Sequence, residues 1–131
     1  MARSALYTAN TASQTVAING TISPGTIIRR FGQCCNLSGS GITINGTGYY
    51  SVNISVTATP TAEGTVTVSL YKDGVAVPGA TASGYGSDDV NLSINALVRE
   101  ACACNPSSVL TLVISESAAV ISNVACVVEK L

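Results

Sequence analysis

Few side chains in this 131-residue chain could do covalent or metal chemistry. It has no histidine and no tryptophan. A Ser-His-Asp triad, a Cys-His dyad, an HExxH zinc helix and an imidazole proton relay are therefore excluded. Five cysteines, one pair of adjacent aspartates and five tyrosines remain. The cysteines are Cys34-Cys35, Cys102-x-Cys104 and Cys126. An odd number leaves at least one thiol unpaired within the chain. Neither CC nor CxC matches the CxxC knuckle of a zinc site. Three readings stay open for Cys34, Cys35, Cys102 and Cys104: a disulfide joining the two doublets, an all-thiolate metal site, or thiols without a chemical role. Cys126 lies in an apolar run and reads as a small core residue.

Asp88-Asp89 follows Gly84-Tyr85-Gly86-Ser87. These carboxylates are hard-oxygen candidates for Ca²⁺, but two fall short of the roughly 6–8 oxygens such an ion takes. A solvated turn is the simpler reading. The other acids (Glu63, Asp73, Glu100, Glu116 and Glu129) are scattered, so no glycosidase-type pair is spelled out. Gly39-Ser40-Gly41 lacks the third glycine of a dinucleotide fingerprint and reads as a loop. No catalytic residue and no cofactor are expected. Tyr49, Tyr71 and Tyr85 are candidate contacts for a glycan or protein, because tyrosine supplies apolar area and a hydroxyl together. Five Asn-x-Ser/Thr sequons, at Asn19, Asn36, Asn45, Asn53 and Asn91, are ordinary in so polar a composition.

Such residues need a scaffold, and composition indicates its class. Charged residues make up 10 % and apolar residues 47 %, the reverse of a disordered chain. A net charge of −1 with six basic residues argues against nucleic acid as a partner. So little charge also hints at association with other subunits. One domain over residues 1–131 is expected, with 1–14 as an extended N-terminal arm. No apolar stretch of about 7–15 residues follows Arg3, so no signal peptide is read, and no run approaches the ~20 residues of a membrane span. The expectation is synthesis in a bacterial cytoplasm and assembly into a virion, or else onto a spore or cell surface.

Period-two alternation dominates the chain. Tyr50, Val52, Ile54, Val56 and Ala58 alternate with Ser51, Asn53, Ser55, Thr57 and Thr59, giving one buried and one wet face. Val66, Val68 and Leu70 repeat the pattern, and Lys72-Asp73-Gly74-Val75 makes a primed hairpin turn. Val75–Val77 returns and Pro78-Gly79 closes that strand. Further strands are read at Thr15–Ile18, Thr26–Phe31, Ile42–Ile44, Val90–Val98 and Leu110–Ser115. The stretch from Val120 to Val128 is apolar on both faces, which places it at a sandwich centre or under a neighbouring subunit. About nine short strands with regular turn signals predict an all-β sandwich or barrel. Arg29 and Arg30 would point to opposite faces of their strand.

A more specific pattern runs through Ile42-Thr-Ile-Asn-Gly-Thr-Gly48-Tyr49-Tyr50-Ser-Val52-Asn-Ile54-Ser-Val56. Glycine, then aromatic residues, then alternating apolar residues resembles the central strands of complement-type, tumour-necrosis-factor-like jelly-roll heads. The stretch from Val66 to Gly79 resembles the next hairpin of those heads, and Asn123–Leu131 their terminal strand. Bacterial and phage variants, such as the heads of collagen-stalked exosporium glycoproteins of the BclA type, are the nearest in pattern. The Gly-X-Y stalk is missing here, so either the head is free-standing or the stalk belongs to another chain. The resemblance implies a homotrimeric jelly-roll β-sandwich with a non-enzymatic role. That role is structural in a bacteriophage or prophage particle (a capsid decoration or fibre tip), with capsid or tail proteins as partners. The alternative is a bacterial surface or spore-layer head that binds a glycan or protein. Tyr50, Val124, Cys126 and Val128 are the residues expected at the trimer interface.

Overall fold

The computed structural model describes residues 4–100 and 107–131. Its elements in chain order are β1 (Ser4–Asn10), β2 (Gln14–Val16), β3 (Thr21–Ile22), β4 (Thr26–Phe31), β5 (Cys35–Ser38) and β6 (Gly41–Asn45). They continue with β7 (Gly48–Pro60), β8 (Gly64–Lys72), β9 (Val75–Gly86), β10 (Val90–Glu100), β11 (Ser107–Ser115) and β12 (Ala119–Lys130). No helix long and apolar enough to cross a membrane occurs among the described residues.

Two antiparallel sheets face each other. Sheet A runs β10-β7-β12-β1-β4, with β2 also on β12. Sheet B runs β5-β6-β11-β8-β9, with β3 also on β11. Strands distant in sequence therefore lie side by side, as in a jelly roll. One apolar core fills the space between the sheets. The predicted alternation sets its two walls: Tyr50, Val52, Val56 and Ala58 are buried on β7, and Val66, Val68 and Leu70 on β8. Leu92, Ile94 and Val98 of β10 and Leu110, Leu112 and Ile114 of β11 complete them.

Two bulges adjust this pattern. On β12 the register slips between Ile121 and Asn123, so Ser122 is an extra residue opposite β7. The slip lets Ile121 and Val124, three apart in sequence, both point into the core. On β9 the pairing jumps from Ser69↔Thr81 to Tyr71↔Ala76. Pro78, which has no N–H, and Gly79, at φ 79°, bow out there, and β9 then resumes to Gly86. The strand expected to close at Pro78-Gly79 is thus interrupted and continues.

Part of the segment expected as an N-terminal arm is a strand of the sheet. Ser4–Asn10 is hydrogen-bonded on both sides, to β12 and to β4. Its inward side chains include Ser4 and Thr8, and these polar residues break the apolar alternation that marks a strand in sequence. Gly25 permits the close approach of β4 to β1. At φ +90° a Cβ there would lie 2.2 Å from the Ala9 carbonyl oxygen.

The Asp73-Gly74 turn has the positive φ values expected, 51° and 81°. It also clips the hairpin to β11. The Asp73 N–H donates to the Val109 carbonyl at 2.9 Å, and the Val109 N–H donates to Asp73 Oδ1 at 2.9 Å. This bond, with help from the Ser108 hydroxyl, holds the Asp73 carboxyl below its ordinary range. A lowered folded pKa adds stability above the ordinary carboxylate range, and that stability is lost as pH falls through the folded value. Asp73→Asn should therefore flatten the acid limb of stability below about pH 4 in denaturant titrations across pH. Ile114→Ala, at a site with no exposure, should cost about 2–5 kcal/mol, read from the denaturation midpoint.

Candidate functional site

A void between the sheets, lined by Ile22, Ile54, Leu112 and Cys126 among others, measures about 10 Å³. That is barely room for one water, so the sandwich interior holds no ligand pocket there. Any site must lie on the outer faces or at the ends.

The outer face of sheet B is a hydroxyl lattice. Thr67 pairs with Ser83 and Ser69 with Thr81, each at 2.7 Å across the β8–β9 hairpin. Tyr71 and Tyr85 share this face. Tyr85 donates its hydroxyl to Glu63 Oε1 at 2.8 Å.

The outer face of sheet A differs in kind. The registers define its rows. Phe31, Ala5, Glu129, Ser51 and Leu97 lie side by side across β4, β1, β12, β7 and β10. Arg29, Tyr7, Val127, Asn53 and Asn95 make the next row, and Thr26, Ala9, Ala125, Ser55 and Ser93 the one after. Apart from Tyr7 on β1 and Tyr49 at one end of β7, the middle of this face is alanine, valine and small polar side chains. Its charges among the described residues are Arg29, Arg99, Glu129 and, at one end, Asp89 beside Thr59. Large apolar groups stand at the two lateral edges, with Phe31 64 % and Leu97 59 % exposed.

The four residues expected at a trimer interface lie in the core. Tyr50, Val124, Cys126 and Val128 all point inward, at 2 % exposure or less, and have no surface left to give to another chain. Their neighbours Tyr49, Ala125 and Val127 are on the outer face. Tyr49 is thus on sheet A, while Tyr71 and Tyr85 are on sheet B at opposite ends of the β8–β9 hairpin. The three tyrosines form no common site.

One end of the sandwich collects polar groups that the sequence did not connect. The Tyr50 hydroxyl lies 2.5 Å from the Asn45 carbonyl and 2.8 Å from that of Gly46, closing the β6–β7 turn. Burial and the adjacent Cys34 hold this phenol well above its ordinary range. The Cys34 N–H donates to Ser4 Oγ at 3.0 Å, and Lys130 Nζ stands 3.9 Å from Cys34 Sγ. Arg30, exposed on the other face of β4, donates from Nε to the Cys35 carbonyl at 3.2 Å, while Arg29 is on the outer face. Glu100 is buried and pairs with Lys72 at 3.9 Å.

Cys34 is half-buried, and Cys35 and Cys126 are buried. Burial pushes the thiols of Cys35 and Cys126 up to about 11, with Cys34 adding to the effect at Cys35. Cys102 and Cys104 lie outside the described residues. Asp89 accepts a hydrogen bond from the Thr59 hydroxyl, and both Asp88 and Asp89 are exposed. No cluster of three or more His, Cys, Asp or Glu side chains that could hold a metal occurs among the described residues.

The sequence matches no family model and no curated protein. Solved structures do match in fold. Murine APRIL at pH 5.0 superposes with a TM-score of 0.74 at 12 % identity, covering 99 % of this chain and 100 % of that one. The globular domain of the zebrafish complement 1qA protein gives 0.66 at 10 %, covering 97 % and 94 %. The PRD1 vertex protein P5 gives 0.62 at 12 %, covering 98 % and 96 %. The fold is a tumour-necrosis-factor-like jelly roll. This is the architecture the glycine-aromatic pattern implied. At such identities the likeness carries fold and leaves the role of this jelly roll to its own surfaces.

The raised thiols give a test of their burial. With an alkylating reagent on the native jelly roll near pH 8, Cys35 and Cys126 should stay unmodified and become reactive on denaturation. Peptide mapping by mass spectrometry checks this residue by residue.

Proposed function

We propose that this jelly roll is a non-enzymatic structural module that assembles as a homotrimer within a bacteriophage or prophage particle, as a capsid decoration or fibre tip. The observation that carries the trimer is the outer face of sheet A. Ala5, Ala125 and Val127 sit at its middle, large apolar groups stand at its edges, and few charges interrupt it. Charge-poor faces with small central side chains and aromatic borders suit burial against another subunit. A face that meets a different patch on the next copy closes into a ring when the rotation allows. The likeness to a protein described as a vertex protein supports the particle setting. Capsid or tail proteins are then the outer partners, and a collagen-like stalk on another chain is the alternative mount. Division of Tyr49, Tyr71 and Tyr85 between two faces weighs against a single glycan- or protein-binding site built from them, and so against the surface-head alternative.

Light scattering after gel filtration should give about three times the 13.2 kDa chain mass. Val127→Asp should shift that mass towards one chain while leaving the β-rich circular dichroism unchanged, because Val127 faces outward. A clean monomer at every concentration overturns the trimer. Co-sedimentation with purified particles tests the particle setting separately.

A further inference from the structure

On the outer face of sheet A, two adjoining depressions share Ala5 and Phe31. The larger, about 380 Å³, also holds Glu129 and Leu131. Small Ala5 forms its floor and Phe31 its wall. Glu129 is exposed, and the ion pair found among the described residues, Lys72 with Glu100, does not involve it. Lys130, next in the chain, also lines the depression, but its ammonium lies towards Cys34 Sγ. The groove therefore presents an apolar wall, a small residue beside it and one exposed carboxylate that has no ion-pair partner among the described residues.

A matching set stands at the opposite edge of the same sheet. Leu97 and Arg99 lie two apart on β10, on the outward side, since Val98 between them is buried. Side chains two apart on one strand face are about 7 Å from each other. Phe31 and Glu129 are separated by one intervening strand, about 9–10 Å. A leucine set against Phe31 over Ala5 thus leaves the long arginine within reach of the carboxylate. Arg29 does not supply this complement, because it lines the smaller depression beside Phe31 and belongs to the receiving side.

We propose that the β10 edge of one copy seats in this groove of the next, with Leu97 against Phe31 and Arg99 paired to Glu129. This rests on the homotrimer reading and specifies its contact. Because knob and groove are different patches, the contact is heterologous, and repeating it around a threefold axis closes the ring. Opposite charges at such a contact fix register and suppress wrong pairings.

The test is a charge exchange in the full chain, read by sedimentation across dilution. Arg99→Glu and Glu129→Arg should each raise the concentration at which trimers dissociate by about tenfold or more, and the double exchange should restore most of it. Circular dichroism and thermal unfolding confirm folding, since both residues are exposed. A trimeric wild type whose single exchanges change nothing overturns the pairing and leaves the trimer standing. Rescue of Glu129→Arg by Arg29→Glu in place of Arg99→Glu also overturns it. A wild type that is monomeric throughout overturns the homotrimer itself, and the pairing with it.

Discussion

Hydrogen bonding of β12 between β7 and β1 is the constraint on which the other elements depend. Its register runs from Ala119 opposite Pro60 to Lys130 opposite Tyr50 on one side, and from Val124 opposite Asn10 to Lys130 opposite Ser4 on the other. In the middle of a sheet every backbone donor and acceptor must find its partner in these ladders. The side-chain period is two, so a slip of one residue would turn Val124, Cys126 and Val128 outward and put Ala125 and Val127 into the core. The core is close-packed against sheet B, so such a slip would cost several buried side chains at once. The bulge at Ser122 belongs to the same constraint. It resets the phase so that the strand buries Ile121 as well as Val124.

That register explains what could be read from sequence. β7 was legible over ten residues because each inward position is apolar and each outward one is Ser, Asn or Thr. β1 was not, because its inward side includes Ser4 and Thr8, whose burial is settled by neighbours distant in sequence. Thr8 lies beside Cys126 across the ladder, and Ser4 Oγ takes the Cys34 N–H. β5 is short, and of its four residues only Cys35 is fully buried. Which face Val124, Cys126 and Val128 take was hidden for a related reason. With Ala125 and Val127 outside and Val124, Cys126 and Val128 inside, this stretch of β12 carries no polar phase to separate the two faces. Tyr49 and Tyr50 are the same residue type and differ only in which way the pleat turns them.

The polar end of the sandwich is better understood as closure than as chemistry. Tyr50 is the largest fully buried side chain, and its hydroxyl must find a partner. It finds two carbonyls of the β6–β7 turn, which fixes the turn that starts β7. Arg30 covers the Cys35 carbonyl from the edge strand, and Ser4 caps Cys34. A thiol held near 11 is protonated at neutral pH and is a poor nucleophile. Cys35 therefore fills space, and one thiol of the Cys34-Cys35 doublet is committed to packing.

The two outer faces, finally, meet water on different terms. On sheet B the hydroxyls of Thr67, Ser69, Thr81 and Ser83 bond one another across the hairpin, so that face is satisfied by itself and gains little from a partner. On sheet A the middle rows present methyl groups of Ala5, Ala125 and Val127, which gain only by leaving water. A chain with 10 % charged residues has few ions with which to keep such a face solvated. The asymmetry gives the proposed assembly its direction. In that assembly sheet A is the face to bury and sheet B the face to display, and a chain with so few charges suits it.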